Sequence, residues 1–205
     1  MIQHWILTGL NKVEKEKSTD FVWGDFIDIK ICDDLLEFKK QQTFLPVTKG
    51  QSYNIKGDIN VDKDVKDSVD LHIPHQINMP HIQNFLAALQ TVLNSYCNKF
   101  PFCKTSRFEV MQGMRMQSYP VSGGYKAWHT ERTNALPNTV YRHLAWMTYL
   151  NDVPDGGTEW FHQNLYIPAQ KGYTIIWPCD WTHTHRGRVS HTLEKHIITG
   201  WFSFT

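Results

Sequence analysis

After Pro101 the chain is punctuated too often to be helical. Apolar and β-branched residues collect in short runs: Phe108–Met111, Arg115–Tyr119, Leu144–Leu150, Leu165–Ile167, Tyr173–Trp177 and His196–Phe204. Turn-forming text separates them at Ser122-Gly123-Gly124, Asn151 to Gly157, Pro168 to Gly172 and His185 to Gly187. Runs of strand length closed by Gly and Pro predict short antiparallel strands. A set of such strands buries its apolar faces as a β-sandwich or jelly roll. Most of the eight Trp residues fall in this half, which suits a β core better than a helical bundle.

The first half is organised differently. Pro80 suits a first helical turn, and Ile82, Phe85, Leu86, Leu89, Val92, Leu93 and Tyr96 recur at helical spacing to about residue 97. This predicts a support helix packed on a sheet. Loose alternation over Phe21–Ile31 predicts a strand, and Asp33 looks like the N-cap of a short helix over Leu35–Lys40. Residues 1–20 join an apolar patch (Trp5, Ile6, Leu7) to a charged run from Lys12 to Asp20, read as a solvated turn or loop. Thr43 to Asp70 is polar and interrupted by Gly50 and Gly57. It reads as loop and edge-strand material, the natural place for a lid facing a substrate. The expected organisation is one domain over 1–205, with a support region of helices and loops at 1–105 and a β core at 106–205.

Composition removes several function classes. The formal charge is +1, from 21 basic and 20 acidic residues, so there is no basic surplus to grip a phosphate backbone and nucleic acid is disfavoured as a partner. No apolar stretch approaches the roughly 20 residues that span a bilayer, so no membrane partner is expected. The four cysteines (Cys32, Cys97, Cys103, Cys179) show no CxxC spacing, and the first residues lack the basic start and apolar run of a secretion signal. These features predict reduced thiols in a soluble, cytoplasmic protein.

The chemistry concentrates between His129 and Trp201. His129-Thr130-Glu131 followed by a distant His185 is the ligand set of a mononuclear non-haem iron site, which leaves part of the metal open for a chelating cosubstrate and oxygen. On a strand, residues two apart point the same way, so His129 and Glu131 would face one cavity. His183, two residues before His185, competes with it as a ligand or supports it, and His191 lies beyond. Lys195 would hold the far carboxylate of a dicarboxylate cosubstrate. The Tyr119 hydroxyl either joins it or belongs to a sheet aromatic. Trp128, Arg132, Arg142, Trp160 and His162 are the candidate substrate-facing groups.

From about Arg115 to Phe204 these residues resemble the prolyl 4-hydroxylase-like branch of the Fe(II)- and 2-oxoglutarate-dependent oxygenases. The matching text is Tyr119-x-x-x-Gly123-Gly124-x-x-x-x-His129-Thr130-Glu131, then Thr148-Tyr149-Leu150-Asn151-Asp152 and Gly156-Gly157-Thr158-Glu159. Pro168-Ala169-Gln170-Lys171-Gly172 and His185-Arg186-Gly187-x-Val189 follow, then Lys195 and Trp201. The resemblance implies a mainly β fold with supporting helices, a double-stranded β-helix (jelly roll) with its metal ligands near the mouth. His129, Glu131 and His185 would bind iron, and Lys195 would bind 2-oxoglutarate. It implies hydroxylation of a peptidyl or free amino-acid side chain, prolyl by analogy, with molecular oxygen as co-reactant and ascorbate as reductant. One departure stands out. The family usually has Asp where this chain has Glu131, and the added methylene carries the carboxylate outward. Two other readings compete: a zinc hydrolase on His183, His185 and His191, and a non-catalytic jelly-roll binding module that keeps the site as a relic.

Overall fold

A computed structural model describes residues 20–53, 58–134 and 136–205. Its elements are β1 (Trp23–Phe26), α1 (Ile29–Gln41), β2 (Val47–Lys49), β3 (Ser52–Tyr53), β4 (Ile59–Asn60), β5 (Lys66–Asp67), β6 (Val69–Ile73), α2 (Pro80–Lys99), β7 (Phe108–Glu109) and β8 (Met114–Tyr119). They continue as β9 (Gly124–Tyr125), β10 (Arg142–Tyr149), β11 (Val153–Trp160), β12 (Leu165–Ala169), β13 (Tyr173–Pro178), β14 (His185–Arg188) and β15 (Lys195–Phe204). The apolar patch near the N-terminus, and all of the charged run except Asp20, lie outside the described residues.

The larger sheet is antiparallel in the order β1-β13-β10-β15-β8-β6-β2, with β7 also paired to β15. A smaller sheet, β12-β11-β14, faces it. Two sheets closing on one interior are the jelly roll that the strand text predicts. The alternation of β15 shows how the layers form. Ile198 and Phe202 join α1 and α2 in one core, while Ile197 and Trp201 point the other way and join Trp160 and Ile167 of the small sheet in a second. Gly200 sits on the helix-facing side, where a Cβ would come within 2.4 Å of the Trp146 ring. The missing side chain lets that fully buried indole lie flat against the strand.

The helix over Pro80–Lys99 matches its predicted start and buries its Ile82, Phe85, Leu89, Val92, Leu93 and Tyr96 stripe. Other elements depart from the sequence reading. The predicted strand over Phe21–Ile31 ends at Phe26, because Asp28 caps a helix from Ile29 by accepting from the Lys30 N–H. The buried Cys32, Leu35 and Phe38 stripe carries that helix through Asp33, which pairs instead with Lys171 at 2.6 Å. The text Asn151–Gly157, read as a turn, belongs largely to β11. Its register shifts between Val153 and Gly157, and Gly157 takes φ +144° where a Cβ would lie 2.4 Å from the Ile167 carbonyl oxygen. His185–Gly187, also read as a turn, is the start of β14. Three strands of the larger sheet (β1, β2 and β6) come from the half read as support; β2, at the sheet's edge, lies within the text read as loop and edge strand, and β6 begins at the end of that text.

Candidate metal centre

His129 and Glu131 are not on a regular strand, contrary to the sequence expectation. His129 makes one isolated bridge with His185, N–H to carbonyl in both directions at 3.0 and 2.9 Å, and Glu131 sits in the bend that follows. The bridge brings both imidazoles together, with ring centroids 4.3 Å apart. Each ring is then oriented from behind. His129 Nδ1 donates to the Ala127 carbonyl at 3.0 Å, and His185 Nδ1 donates to the His183 carbonyl at 2.9 Å. A carbonyl can only accept, so the ring hydrogens are on Nδ1 and both Nε2 lone pairs face the cavity. Tyr125 stacks on His129 at 3.6 Å between centroids, and Trp160 and Trp177 wall in His185.

Glu131 completes the constellation. Its Oε1 lies 3.3 Å from His185 Nε2 and 3.7 Å from His129 Nε2, and one donor atom from each residue falls within 4.8 Å of the others. The longer side chain is clamped at its other oxygen, where Trp201 Nε1–H donates at 2.8 Å and an Arg142 Nη1 approaches at 3.5 Å. Burial pushes the pKa of His129 down to about 3, helped by the neighbouring His185, so the ring is neutral at neutral pH. Burial would raise Glu131, but the two imidazoles and Arg142 outweigh it and hold the carboxyl well below the usual range. Two imidazole nitrogens and one carboxylate oxygen thus converge on one point. The donor set fits Fe(II), and by chemistry alone would also accept Mn, Co, Ni or Zn.

The centre opens into a cavity of about 450 Å³ between the sheets, whose lining includes Arg115, Tyr119, Lys195 and Trp201. Lys195 is buried with its Nζ donating to the Arg188 carbonyl at 2.8 Å and more weakly to Gly157 at 3.4 Å. An ammonium has three hydrogens, so one remains for an anion. Desolvation lowers its pKa to about 8, with Asp155 opposing. Tyr119 also faces the cavity, but its hydroxyl donates to Gln117 Oε1 at 2.7 Å. Behind it runs a buried chain. The Gln117 amide and Ser68 both donate to Asp70, which pairs with Lys66 at 2.7 Å.

The predicted substrate-facing groups scatter. Only Arg142 lines the cavity, and its guanidinium is engaged with the Glu131 carbonyl at 2.9 Å and stacked 3.5 Å from the Trp201 ring. Trp160 is fully buried as the wall behind His185. Arg132 pairs with Asp180 at 3.3 Å and bonds the Arg142 carbonyl. Trp128 packs edge-on against Phe161, and His162 against Phe161 and Trp181, outside the cavity. The rival ligand His183 spends both ring nitrogens, on Thr182 and on the Asp20 carbonyl, and helps His185 only through its own carbonyl. His191 bonds Ser122 at the surface, so the three-histidine zinc site is not assembled; among the described residues the single gathered donor set is His129, Glu131 and His185. Arg115, Gln117 and Lys66 were missed as cavity residues. Arg115 and Gln117 alternate with Tyr119 on β8, which is the signal that could have found them.

Other features bear on the sequence expectations. The four cysteines are free thiols, and among the described residues no helix is long and apolar enough to cross a membrane.

Residues 114–203 match the model of the 2OG-Fe(II) oxygenase superfamily. Among solved structures the chain is similar to a prolyl-4-hydroxylase from Pseudomonas putida, at 14% identity and TM-score 0.62 over 90% of this chain and 91% of that one. A viral collagen prolyl hydroxylase from Paramecium Bursaria Chlorella virus-1, solved as a 2OG complex, matches at 16% and 0.63 over 91% and 97%. A Trichoplax adhaerens prolyl hydroxylase in complex with a hypoxia inducible factor peptide fragment matches at 16% and 0.66 over 89% and 82%. No curated protein matches the chain by sequence. The segment that matches the superfamily model carries His129, Glu131, His185 and Lys195, and the solved neighbours share the chain's jelly-roll fold.

Proposed function

We propose that the protein hydroxylates a side chain within a peptide, prolyl by analogy with its structural neighbours. In this reading His129 Nε2, Glu131 and His185 Nε2 hold the iron, and Lys195 binds the distal carboxylate of 2-oxoglutarate. The observation that carries it is the pairing of a converging three-donor centre with a buried ammonium in the same cavity. When bound, Fe(II) and 2-oxoglutarate supply oxidation of an unactivated C–H bond at the expense of the cosubstrate and oxygen.

The chain's own residues position and shield. Ala127 and His183 carbonyls fix the two imidazole tautomers, Trp201 and Arg142 fix the carboxylate, and Tyr125, Trp160 and Trp177 keep bulk water from the backs of the ligands. Lys195 supplies a cation where burial makes an unpaired charge costly, so a dicarboxylate that pairs with it gains more than it would in water. Tyr119 supports that end through its ring, whose centroid lies 5.4 Å from Lys195 Nζ. A peptide is favoured over a free amino acid because the cavity adjoins a groove with which it shares Arg115, Arg142 and Trp201, and because the Trichoplax neighbour is a peptide complex.

The test is anaerobic visible absorption of metal-free protein as Fe(II) and then 2-oxoglutarate are added. A charge-transfer band that needs both, disappears in His185→Ala and weakens in Lys195→Met is expected. A well-folded protein with no band would sink the assignment of this site. Mass spectrometry of prolyl peptides incubated with the loaded enzyme then tests the substrate residue by the gain of one oxygen.

A further inference from the structure

The charges lining the cavity do not balance. Its walls carry Lys66, Arg115, Arg142 and Lys195 but a single carboxylate, Glu131. The adjoining groove, about 440 Å³, shares Arg115, Arg142, Leu136 and Trp201 with the cavity and extends over Pro46, Pro74 and Met111 without adding an acidic residue. Three of the four cations have evident employment: Lys66 is paired with Asp70, Arg142 serves Glu131, and Lys195 is tied to two backbone carbonyls. Arg115 is different. Its guanidinium lies 5.7 Å from the Trp201 ring centroid and acts on the buried Asp70 carboxylate only through longer-range charge; among the described residues it makes no hydrogen bond or close ion pair.

Register places Arg115 away from the cosubstrate end. On the paired strands β8 and β15, Tyr119 faces Lys195 and Arg115 faces Thr199. Four residues separate Arg115 from Tyr119, about 13 Å along a strand. Lys195 thus marks one end of the cavity floor, and Arg115 marks the end that continues into the groove. Trp201 stands between Arg115 and Glu131, bonding the carboxylate with its Nε1.

Resting on the peptide hydroxylase reading above, we propose that the substrate is an acidic peptide. Arg115 pairs with an Asp or Glu side chain within about two residues of the hydroxylated residue, and the groove past Trp201 receives the chain that carries it. A guanidinium prefers a planar carboxylate held by two parallel hydrogen bonds.

The test measures binding by fluorescence anisotropy to the full chain loaded with Mn(II) and 2-oxoglutarate, a pairing chosen to suppress turnover. The probes are labelled ten-residue Ala/Gly peptides with a central Pro and a Glu one or two positions to either side, each with a Gln twin. At least one Glu peptide should bind roughly ten- to a hundredfold more tightly than its twin, the range expected for hydrogen bonds to a charged group. Arg115→Gln should abolish the preference, Arg115→Lys should keep part of it, and Arg115→Glu should favour Lys-containing peptides. Equal binding of the twins to the native chain, or a preference that survives Arg115→Gln, would overturn the proposal. So would failure of every peptide to bind protein that takes up metal and 2-oxoglutarate normally. If Arg115→Gln weakens 2-oxoglutarate binding and leaves the peptides alone, the guanidinium belongs to the cosubstrate and the proposal falls. Loss of metal and 2-oxoglutarate binding in the native chain would instead defeat the site assignment, and the twin peptides would still decide the role of Arg115.

Discussion

The indole of Trp201 donates its Nε1–H to Glu131 Oε2 at 2.8 Å, while Arg142 stacks 3.5 Å from the same indole and donates to the Glu131 carbonyl. This clamp accommodates a Glu at the position where the family that the sequence resembles usually has Asp. The extra methylene carries the carboxylate to a partner on β15 that keeps Oε2 occupied and leaves Oε1 facing the two imidazoles.

Breaking the clamp should therefore weaken the metal. Trp201→Phe keeps an aromatic face for Arg142 but removes the N–H, and metal affinity should fall roughly ten- to a hundredfold, the usual cost of losing a group that orients a ligand. Glu131→Asp should do the same, because it withdraws the carboxylate by about 1.5 Å from both Trp201 and Arg142. Competition titration of Mn(II) against a fluorescent chelator measures both. If Glu131→Asp bound metal as tightly as the native chain, the clamp would not be what sets this ligand.

Lys195 gives a pH signature. Its pKa in the fold is about 8 against an ordinary 10.5, because burial disfavours the cation. The charged form, which a dicarboxylate needs, predominates below about pH 8 and is lost above it. The kcat/KM for 2-oxoglutarate should fall as pH rises through that value, and Lys195→Arg, which stays charged, should remove the alkaline limb. The same group affects stability with the opposite sign. Between about 8 and 10.5 the unfolded chain holds the proton and the folded one does not, so this residue makes stability rise with pH. A pH–rate profile with a flat alkaline limb would exclude Lys195 as the anchor.

The second half of the chain was legible because its strands alternate and its turns are marked by Gly and Pro, and the motif of His129, Glu131 and His185 names three residues whose donor atoms the fold gathers. Misreadings arose where tertiary contacts replaced local signals. The start of β6 falls in text read as loop and edge strand because Asp70 is charged, yet that carboxylate is buried among Lys66, Ser68 and Gln117. Pro154-Asp155-Gly156-Gly157 looked like a turn, yet it is a bulged strand in which Asp155 accepts from Ser190, Thr192 and the His191 N–H and so shapes the loop before Lys195. Hydropathy cannot tell a solvated charge from a buried pair. Nor could proximity along the chain say which aromatic and basic residues face the cavity: Arg142 does so and Trp160 does not.

The buried Lys66–Asp70 pair should prove costly to break. Asp70→Asn leaves an ammonium with almost no exposure and no counter-charge, and should destabilise the fold by about 3–5 kcal/mol in chemical denaturation. Replacing both partners, as Lys66→Met with Asp70→Leu, should recover most of that loss. Gln117 would still lose its acceptor, so Tyr119 should be less well held and 2-oxoglutarate should bind more weakly even in the recovered protein. A double variant as unstable as Asp70→Asn alone would show that the pair is not the source of the cost.

Trp160 separates a structural role from substrate contact. It is 1% exposed, its ring lies 28° from the plane of His185 at 6.1 Å, and its Nε1 has no hydrogen-bond partner among the described residues. Removing the ring should leave a cavity behind the metal ligand, so Trp160→Ala should cost about 3–5 kcal/mol. The same change should weaken the metal, because His185 loses its backing. Trp160→Phe retains most of the packing and breaks no hydrogen bond, so its cost should be much smaller. Denaturant titration with and without Mn(II) reads both effects. Were Trp160 a substrate contact, Trp160→Ala would instead raise the KM for the peptide while leaving the unfolding midpoint and metal affinity where they were.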